Sequence, residues 1–457
     1  MRRCTFSPVL YPTVAAVVAI TAIVSVTPRM GAAADSTTAA SAADGSLPAG
    51  TPVTVPTPST TSSALPVVST SPPATTPFVT YPSSPPTTPT CVPSTSPPLD
   101  TGFVMTPLPV PNGYSIQQVI AINDQDVTIG TAITASGQPH AVRWKGAAFA
   151  DLGTLPGGDT SGALGIGADD TVVGYSSAVS SIRQAVRWDR GGAITDLEAG
   201  GFMSEAAAIG GDGTIAGFIT SGDGSIEAAR WDRSGRITKL PDLGGTGSRA
   251  TAINDTGTAI GYATTSDQVL HPALWDRAGR VVDLMRHSDA ADGFVQVSGI
   301  DNAGTVIGFA QGSGRAMTWD PAHGLRALPS LEGGTGGNPT SINDHGTIVG
   351  TAMTATAQRA ARWDGRRVTD LGTLLGATGS STASSISDAG TVVGQSGSGA
   401  GYAHAVEWDS QGQIADLGGV NSCDTSNALA INNAGTVLGE VVTHGTATHT
   451  FVLWRRA

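Results

Sequence analysis

The stretch Ala252-Ile253-Asn254-Asp255-Thr256-Gly257-Thr258-Ala259-Ile260-Gly261 holds two short apolar runs separated by Asn-Asp-x-Gly. Asn, Asp and Gly accept the positive φ of a tight turn, so the pattern predicts a hairpin of two strands, A and B. The pattern occurs eight times after residue 101. The copies open at Ile122, Ile166, Ile209, Ile253, Ile300, Ile342, Ile386 and Ile431. They close at Gly130, Gly174, Gly217, Gly261, Gly308, Gly350, Gly394 and Gly439, spaced by 42 to 47 residues.

All the tryptophans of the chain follow the same register. They are Trp144, Trp188, Trp231, Trp275, Trp319, Trp363, Trp408 and Trp454, spaced by 43 to 46 residues. Each ends a third predicted strand, C, and a turn such as Trp188-Asp189-Arg190-Gly191 leads to a fourth, D. Four strands in a unit of about 44 residues are typical of a β-propeller blade.

The two ends of the repeat favour a closed ring. The last copy stops at Trp454-Arg455-Arg456-Ala457 without a strand D, whereas Phe103 to Gly113 precedes the first strand A and carries Leu108 at the strand D position. A ring that takes its final strand from the other terminus leaves no open sheet edge. The sequence therefore predicts an all-β fold, an eight-bladed propeller over residues 101–457 in which an N-terminal strand completes the last blade. A solenoid of stacked hairpins is the alternative.

The first residues are typical of an export signal. Arg2-Arg3 precedes an apolar stretch from Thr13 to Val26, and Ala32-Ala33-Ala34 resembles a cleavage site. We predict a secretory signal peptide over residues 1–34 and a protein that is secreted or held at the cell surface. A signal segment retained as a membrane anchor is the alternative.

Residues 35–100 are mostly Ser, Thr, Pro, Ala and Val, which cannot pack a core, so a disordered linker or stalk is expected. Signal cleavage would leave Cys91 and Cys423. Because exported proteins meet an oxidising compartment, we predict a disulfide between these two residues, with two free thiols as the alternative.

The charge balance excludes some partners. The chain has 24 Lys and Arg against 36 Asp and Glu, a net charge of −12, and it has no long basic run. This argues against binding to nucleic acid or to an anionic membrane surface.

Two copies carry the motifs His140-Ala141-Val142-Arg143-Trp144 and His404-Ala405-Val406-Glu407-Trp408. In these motifs, and in the Asn-Asp-x-Gly, Val-Val-Gly and Asp-Leu-Gly-Thr-Leu elements, the chain resembles the bacterial extracellular repeat proteins of the HAF family. That family is named after a His-Ala-Phe before the Trp, and most copies here lack the Phe. The resemblance covers roughly residues 101–457. It implies an extracellular repeat protein and no particular activity.

Histidine begins strand C at His140, His271 and His404, in the first, fourth and seventh copies. These side chains would lie too far apart around a ring to share a metal ion, so we interpret them as hydrogen-bonding residues at strand ends. The Asp-rich turns lack the alternating oxygen ligands of a calcium loop. No metal site and no cofactor is predicted. The residue before the Trp, such as Arg230 or Glu407, is expected to be solvated.

Catalytic motifs are absent: the sequence has no Gly-x-Ser-x-Gly, no His-Glu-x-x-His and no Gly-Lys-Thr phosphate loop. A binding site is expected on the face that carries the B–C and D–A loops, because these vary most in length and loops on a rigid scaffold carry binding residues. The candidates are Arg286, His287 and Asp289 in the longest D–A insertion, and Tyr402.

The sequence thus favours an exported, monomeric, non-catalytic module that binds an extracellular glycan, a wall component or a protein. The alternative is a carbohydrate-active hydrolase or lyase that uses acids in the central pocket. A purely structural role in the envelope is the third hypothesis.

Overall fold

The structure is a computed structural model, and it describes residues 102–179, 182–197, 200, 202–286, 295–399, 402–419, 424–444 and 448–457. The described residues form 32 strands in eight antiparallel sheets of four strands each. This is the predicted eight-bladed propeller, and the solenoid alternative is wrong. Among these residues, no helix has the length and apolar character needed to span a membrane.

Each of the first seven blades uses four consecutive strands, in the order A, B, C, D. Blade 1 contains β2 (Ser115–Ile122), β3 (Val127–Ile133), β4 (Pro139–Lys145) and β5 (Ala148–Asp151). Blade 2 contains β6 (Ser161–Ile166), β7 (Val172–Ser177), β8 (Arg183–Trp188) and β9 (Ile194–Asp196). Blade 3 contains β10 (Ser204–Ile209), β11 (Ile215–Thr220), β12 (Ile226–Trp231) and β13 (Ile237–Lys239). Blade 4 contains β14 (Gly244–Ile253), β15 (Ala259–Thr265), β16 (Leu270–Trp275) and β17 (Val281–Asp283).

The remaining blades follow the same order. Blade 5 contains β18 (Val295–Ile300), β19 (Val306–Ala310), β20 (Arg315–Asp320) and β21 (Gly324–Ala327). Blade 6 contains β22 (Gly337–Ile342), β23 (Thr347–Met353), β24 (Gln358–Asp364) and β25 (Arg367–Asp370). Blade 7 contains β26 (Ser381–Ile386), β27 (Val392–Gly399), β28 (Tyr402–Trp408) and β29 (Ile414–Asp416). Blade 8 contains β30 (Thr425–Ile431), β31 (Val437–Thr443) and β32 (Thr448–Arg456).

Blade 8 is completed by β1 (Phe103–Pro107), which pairs with β32. Phe103 lies opposite Arg456 and Pro107 opposite Val452, so β1 takes the strand D position. The backbone N–H of Ala457 also donates to the Gly102 carbonyl oxygen at 2.9 Å. The prediction that an N-terminal strand closes the ring is confirmed.

The strand directions give the ring two different faces. We call the face with the A–B and C–D turns the lower face, and the face with the B–C and D–A loops the upper face. Because Phe103 pairs with Arg456 at the lower end of β32, both Gly102 and Ala457 lie at the lower face.

Tryptophan fills the layer between neighbouring blades. Seven of the eight indoles are at most 1% exposed. Trp188 of blade 2, for example, packs against Val127 and Ile129 of blade 1. The core is therefore a series of clusters between adjacent blades, and each copy of the repeat contributes one Trp.

The closing glycine of strand B is explained by a bulge in strand A. The register shifts by one residue in every blade, for example between Ala163 and Gly165. The bulge brings a strand A carbonyl oxygen against the glycine, so a Cβ on Gly174 would overlap the carbonyl oxygen of Gly162. The same overlap recurs at the other seven closing glycines. Only glycine fits there.

Six of the eight indole N–H groups fall into two classes, according to the D–A connection that precedes their blade. Where the connection reads Leu-Pro, the Trp of the following blade donates to the proline carbonyl, as Trp363 does to Pro329 at 2.8 Å. Where it reads Leu-Gly, the glycine has positive φ and its carbonyl accepts a serine hydroxyl instead, as Gly372 accepts from Ser381. The indole N–H groups that follow Leu-Gly, those of Trp188, Trp408 and Trp454, have no partner among the described residues.

Candidate binding surface

The first residue of each A–B turn links neighbouring blades when it is asparagine. Asn254 Nδ2 donates to the Asp301 carbonyl oxygen of the next blade at 2.8 Å, while its Oδ1 accepts the backbone N–H of Thr258 in its own turn at 2.9 Å. Asn123, Asn343 and Asn432 make the same pair of contacts. The amide group suits this position because it offers a donor and an acceptor together.

The second residue of the turn forms a hydrogen-bonded belt around the lower mouth of the central channel. At each step its side chain accepts the backbone N–H of the equivalent residue in the preceding blade. The steps are Gly211 to Asp255, Asp255 to Asn302, Asn302 to Asp344, Asp344 to Asp388, Asp388 to Asn433 and Asn433 to Asp124. Ala168 and Gly211 accept no hydrogen bond in this belt, because neither has a polar side chain.

The acids of this region are structural. Burial raises the pKa of Asp255, and the nearby charge of Asp344 adds to the effect. Burial also raises the pKa of Asp301, although Thr305 donates hydrogen bonds to its carboxylate. A small opening at the lower mouth is lined by Ile342 and Asp344 and by equivalents of these two residues in neighbouring blades, among them Ile386 and Asp388. The turn residues that sequence analysis explained by hairpin geometry alone therefore also hold the blades together.

The three strand C histidines have the predicted role at the upper end of their strands. Nδ1 of His140, His271 and His404 donates to Asp151, Asp283 and Asp416 on strand D of the same blade, at 2.8 to 3.1 Å. Blade 3 has the opposite order of charges, with Glu227 and Lys239 paired at 2.5 Å. Within the described residues, no three His, Cys, Asp or Glu side chains are arranged to hold a metal ion.

The solvated environment expected before the Trp is wrong at two positions. Arg230 is buried, and its Nη1 donates to the Gly257 carbonyl oxygen of the next blade at 2.7 Å. Burial lowers its pKa. Glu407 is also buried and pairs with Arg456 of blade 8. This position faces the seam between blades, which strand alternation alone does not reveal.

Exposed apolar side chains are concentrated on the upper face. Of the ten large apolar residues exposed in the described chain, eight lie in B–C or D–A connections or at their edges: Val110, Val179, Ile182, Phe202, Met203, Val269, Met353 and Leu375. The other two, Val104 and Val282, lie on outer strands. The lower face carries the acids of the A–B turns and the arginines of the C–D turns.

Four of the eight come from the B–C loop of blade 2 and from the next D–A connection, which leads from blade 2 to blade 3. We call Val179, Ile182, Phe202 and Met203, exposed by 83%, 37%, 45% and 40%, the apolar patch. Val179 and Ile182 belong to the B–C loop of blade 2. Phe202 and Met203 belong to the D–A connection that enters blade 3, which Ser204 ties to strand C of blade 2 by accepting the N–H of Ala185.

The residues predicted for binding are only partly located. Arg286 is exposed in the D–A connection after blade 4, whereas Tyr402 is half-buried in blade 7, with its ring edge-on to His444 at 5.5 Å. Blades 5 and 6 separate them, so they do not form one site. His287 and Asp289 lie outside the described residues, as do Cys91 and Cys423. The predicted disulfide stays a prediction.

Sequence analysis missed the apolar patch. The signal was present, since Phe202-Met203 and the pair Val179 and Ile182 are large apolar residues in connections rather than strands. From the sequence alone, these side chains could equally have been buried within the connections, and only the tertiary structure shows that they are exposed.

No family model matches the chain, and no curated protein matches it in sequence. Solved structures with a similar fold include TolB from Acinetobacter baumannii, with 14% identity, a TM-score of 0.32 and coverage of 50% of this chain and 57% of that one. Dipeptidyl peptidase 4 from Porphyromonas gingivalis has 12% identity, a TM-score of 0.48 and coverage of 74% and 57%. The β-propeller domain of the Trilobed protease from Pyrococcus furiosus has 9% identity, a TM-score of 0.42 and coverage of 76% and 95%. This chain spans between 51% and 64% of the first solved chains that it resembles. These are likenesses of fold, and no activity is inferred from them.

Proposed function

We propose that this chain is an exported, non-catalytic binding module whose recognition surface is the upper face. The observation that carries the proposal is the distribution of exposed apolar side chains, eight of ten on that face. Exposed apolar groups that cluster within a polar rim mark interaction surfaces. Phe202 and Met203 are the natural anchors, because large adaptable side chains dominate binding energy.

The point at which the chain enters the ring supports the same choice of recognition surface. The segment before residue 102 joins the ring at the lower face, beside Ala457. The described chain thus enters the ring on the face opposite the proposed recognition surface, whose expected partner is an extracellular protein, wall component or glycan. Secretion and membership of the HAF family belong to the same proposal.

The enzyme alternative has less support. Carboxylates do converge at the lower mouth, but Asp124, Asp255, Asp344 and Asp388 each accept a backbone N–H of the neighbouring blade. A general acid or a nucleophile in a glycosidase pair has to reach the substrate. Carboxylates that hold the ring together are poorly placed for that.

The proposal is tested with a matched pair of double variants. The probes are panels of purified envelope proteins, peptidoglycan fragments and glycans. We expect Ile182→Ser with Phe202→Ser to weaken capture of the wild-type partner by tenfold or more, because one exposed apolar side chain is lost from each half of the patch. Val104→Ser with Val282→Ser removes apolar side chains exposed by 54% and 36% on outer strands, and should bind as the wild type does.

Equal binding by the patch variant would contradict the choice of surface. Turnover by the wild type on a polysaccharide hydrolase and lyase panel, without any binder in the first panels, would contradict the proposed function itself.

A further inference from the structure

The seams between neighbouring blades are not equivalent. At seven of the eight seams, at least one hydrogen bond joins the A–B turns of the two blades, through the asparagines or the belt described above. Between blades 2 and 3 there is none, although both turns, residues 166–172 and 209–215, are fully described. The reason is in the sequence: Gly167, Ala168, Gly210 and Gly211 have no polar side chain.

The seam between blades 6 and 7 provides a comparison, because two of its outer contacts match those between blades 2 and 3. In each seam an alanine N–H of strand C donates to a serine hydroxyl of the next blade, Ala185 to Ser204 and Ala360 to Ser381. In each, an arginine donates to a C–D turn carbonyl of the next blade.

Other contacts differ. Trp231 Nε1 donates to the Leu197 carbonyl oxygen between blades 2 and 3 at 3.0 Å, and Arg359 donates to carbonyl oxygens of the connection from blade 6 to blade 7.

The turn contacts distinguish the two seams. The seam between blades 6 and 7 has Asn343 and Asp344 bonded to the next turn. At the turns of blades 2 and 3, the corresponding link is an exposed ion pair, Asp169 with Arg233 at 3.4 Å. Exposed pairs of this kind contribute little.

We infer that the closed ring opens first, at the lower mouth of the channel, along the seam between blades 2 and 3. A closed ring needs to part at one seam only, and the seam whose A–B turns share no hydrogen bond has none to break at this mouth. Opening there would separate the sheets of blades 2 and 3 and expose the apolar cluster between them, which contains Val173, Ala185 and Trp231.

The apolar patch draws its residues from connections of the two blades that meet at this seam. Val179 and Ile182 come from blade 2, and Phe202 and Met203 lead into blade 3. A partner bound across them would therefore hold the seam closed. This consequence rests on the proposed function, whereas the opening of the seam does not.

Two alanines at equivalent positions of strand C, in blades 2 and 6, serve as matched probes of seam opening. Ala185 and Ala360 are 1% and 0% exposed, and each faces the seam to the next blade. We would introduce Ala185→Cys and Ala360→Cys separately into the full chain and follow maleimide labelling of the folded protein. Peptide mass spectrometry quantifies the introduced thiol separately from the native cysteines. Labelling at 185 should be about tenfold faster, since the turn hydrogen bonds that close the other seam are absent.

A second measurement needs no cysteine. The N–H of Ala185 and the N–H of Ala360 each bond across a seam, so their hydrogen exchange in the wild type reports opening directly. Exchange should be faster at Ala185.

The seam can also be repaired. A Cβ on Gly167 would meet nothing closer than 3.2 Å, and Gly167→Asn would aim an amide at the Gly210 carbonyl oxygen, as Asn123 aims at that of Gly167. This change should slow labelling at 185 and exchange at Ala185 several-fold. Gly210→Asn is the control, because its Cβ would come within 2.5 Å of the Asn254 carbonyl oxygen and no repair is expected. Equal labelling and exchange at the two seams, or faster opening between blades 6 and 7, would overturn the inference.

Discussion

The side-chain amide of Asn432 in the last blade donates a hydrogen bond of 2.8 Å to the backbone carbonyl oxygen of Asn123 in the first blade. A second bond of 2.7 Å runs from the same amide to Asp126. These contacts join residues 309 and 306 positions apart in the chain, so they close the inner edge of the ring as β1 closes its outer edge.

Asn432→Ala should therefore destabilise the whole propeller. The change removes two donors across the closing seam and the Oδ1 that accepts the Thr436 N–H. We expect a loss of about 2–3 kcal/mol in the free energy of unfolding, since buried groups lose their partners. Chemical denaturation measures it. Asn112→Ala, in an exposed connection, is the control and should change stability by less than about 0.5 kcal/mol. A similar, small effect of both changes would contradict a closing role for Asn432.

Gly174→Ala should be poorly tolerated. The new methyl group would overlap the Gly162 carbonyl oxygen, and the bulge in strand A would have to move. We expect a loss of about 2–3 kcal/mol, the usual cost of overpacking against backbone. Gly247→Ala is the control, because its Cβ would meet no atom closer than 3.8 Å and its φ is not positive. Thermal unfolding of the two variants should differ clearly; matching curves would show that the bulge relaxes freely.

Two tryptophans should respond differently to the same substitution. Trp363→Phe removes the indole hydrogen bond to Pro329, whereas Trp408→Phe removes an N–H that has no partner among the described residues. Both indoles are at most 1% exposed, so the packing loss is similar. Trp363→Phe should cost about 1 kcal/mol more in the free energy of unfolding. An equal cost would indicate that a water molecule satisfies the Trp408 indole.

Asp255→Asn should stabilise the propeller slightly at neutral pH. Burial raises the pKa of Asp255 in the folded state, so the folded protein holds this proton more tightly than the unfolded chain does. The contribution of Asp255 to stability is therefore greatest in acid. It falls as pH rises from the unfolded pKa to the raised folded value.

Asparagine keeps the Oδ1 acceptor for the Gly211 N–H without the charge, and Asn302 and Asn433 already occupy this position in other blades. The melting temperature of the variant should exceed that of the wild type at pH 7, and the difference should disappear near pH 3. A gain that is constant with pH would have another cause than titration of Asp255.

The sequence by itself determined the fold to the level of the blade. The spacing of the closing glycines and tryptophans, and the missing strand after Trp454, predicted eight blades and a closing strand within Phe103 to Gly113, which the structure locates at Phe103–Pro107. Hairpin turns and strand periodicity are local properties, so they can be read from neighbouring residues. The closing glycines recur visibly in the sequence, but the carbonyl oxygen that requires glycine at each of them lies on strand A.

The tertiary structure alone decided what lies between blades and what is exposed. The belt from Asp255 to Asn302 joins residues 47 positions apart, and Glu407 is buried because Arg456 of the next blade meets it. Phe202 and Met203 could equally have packed inside a connection. Contacts across a seam and exposure at a loop depend on how complete sheets dock, and no local pattern encodes that geometry.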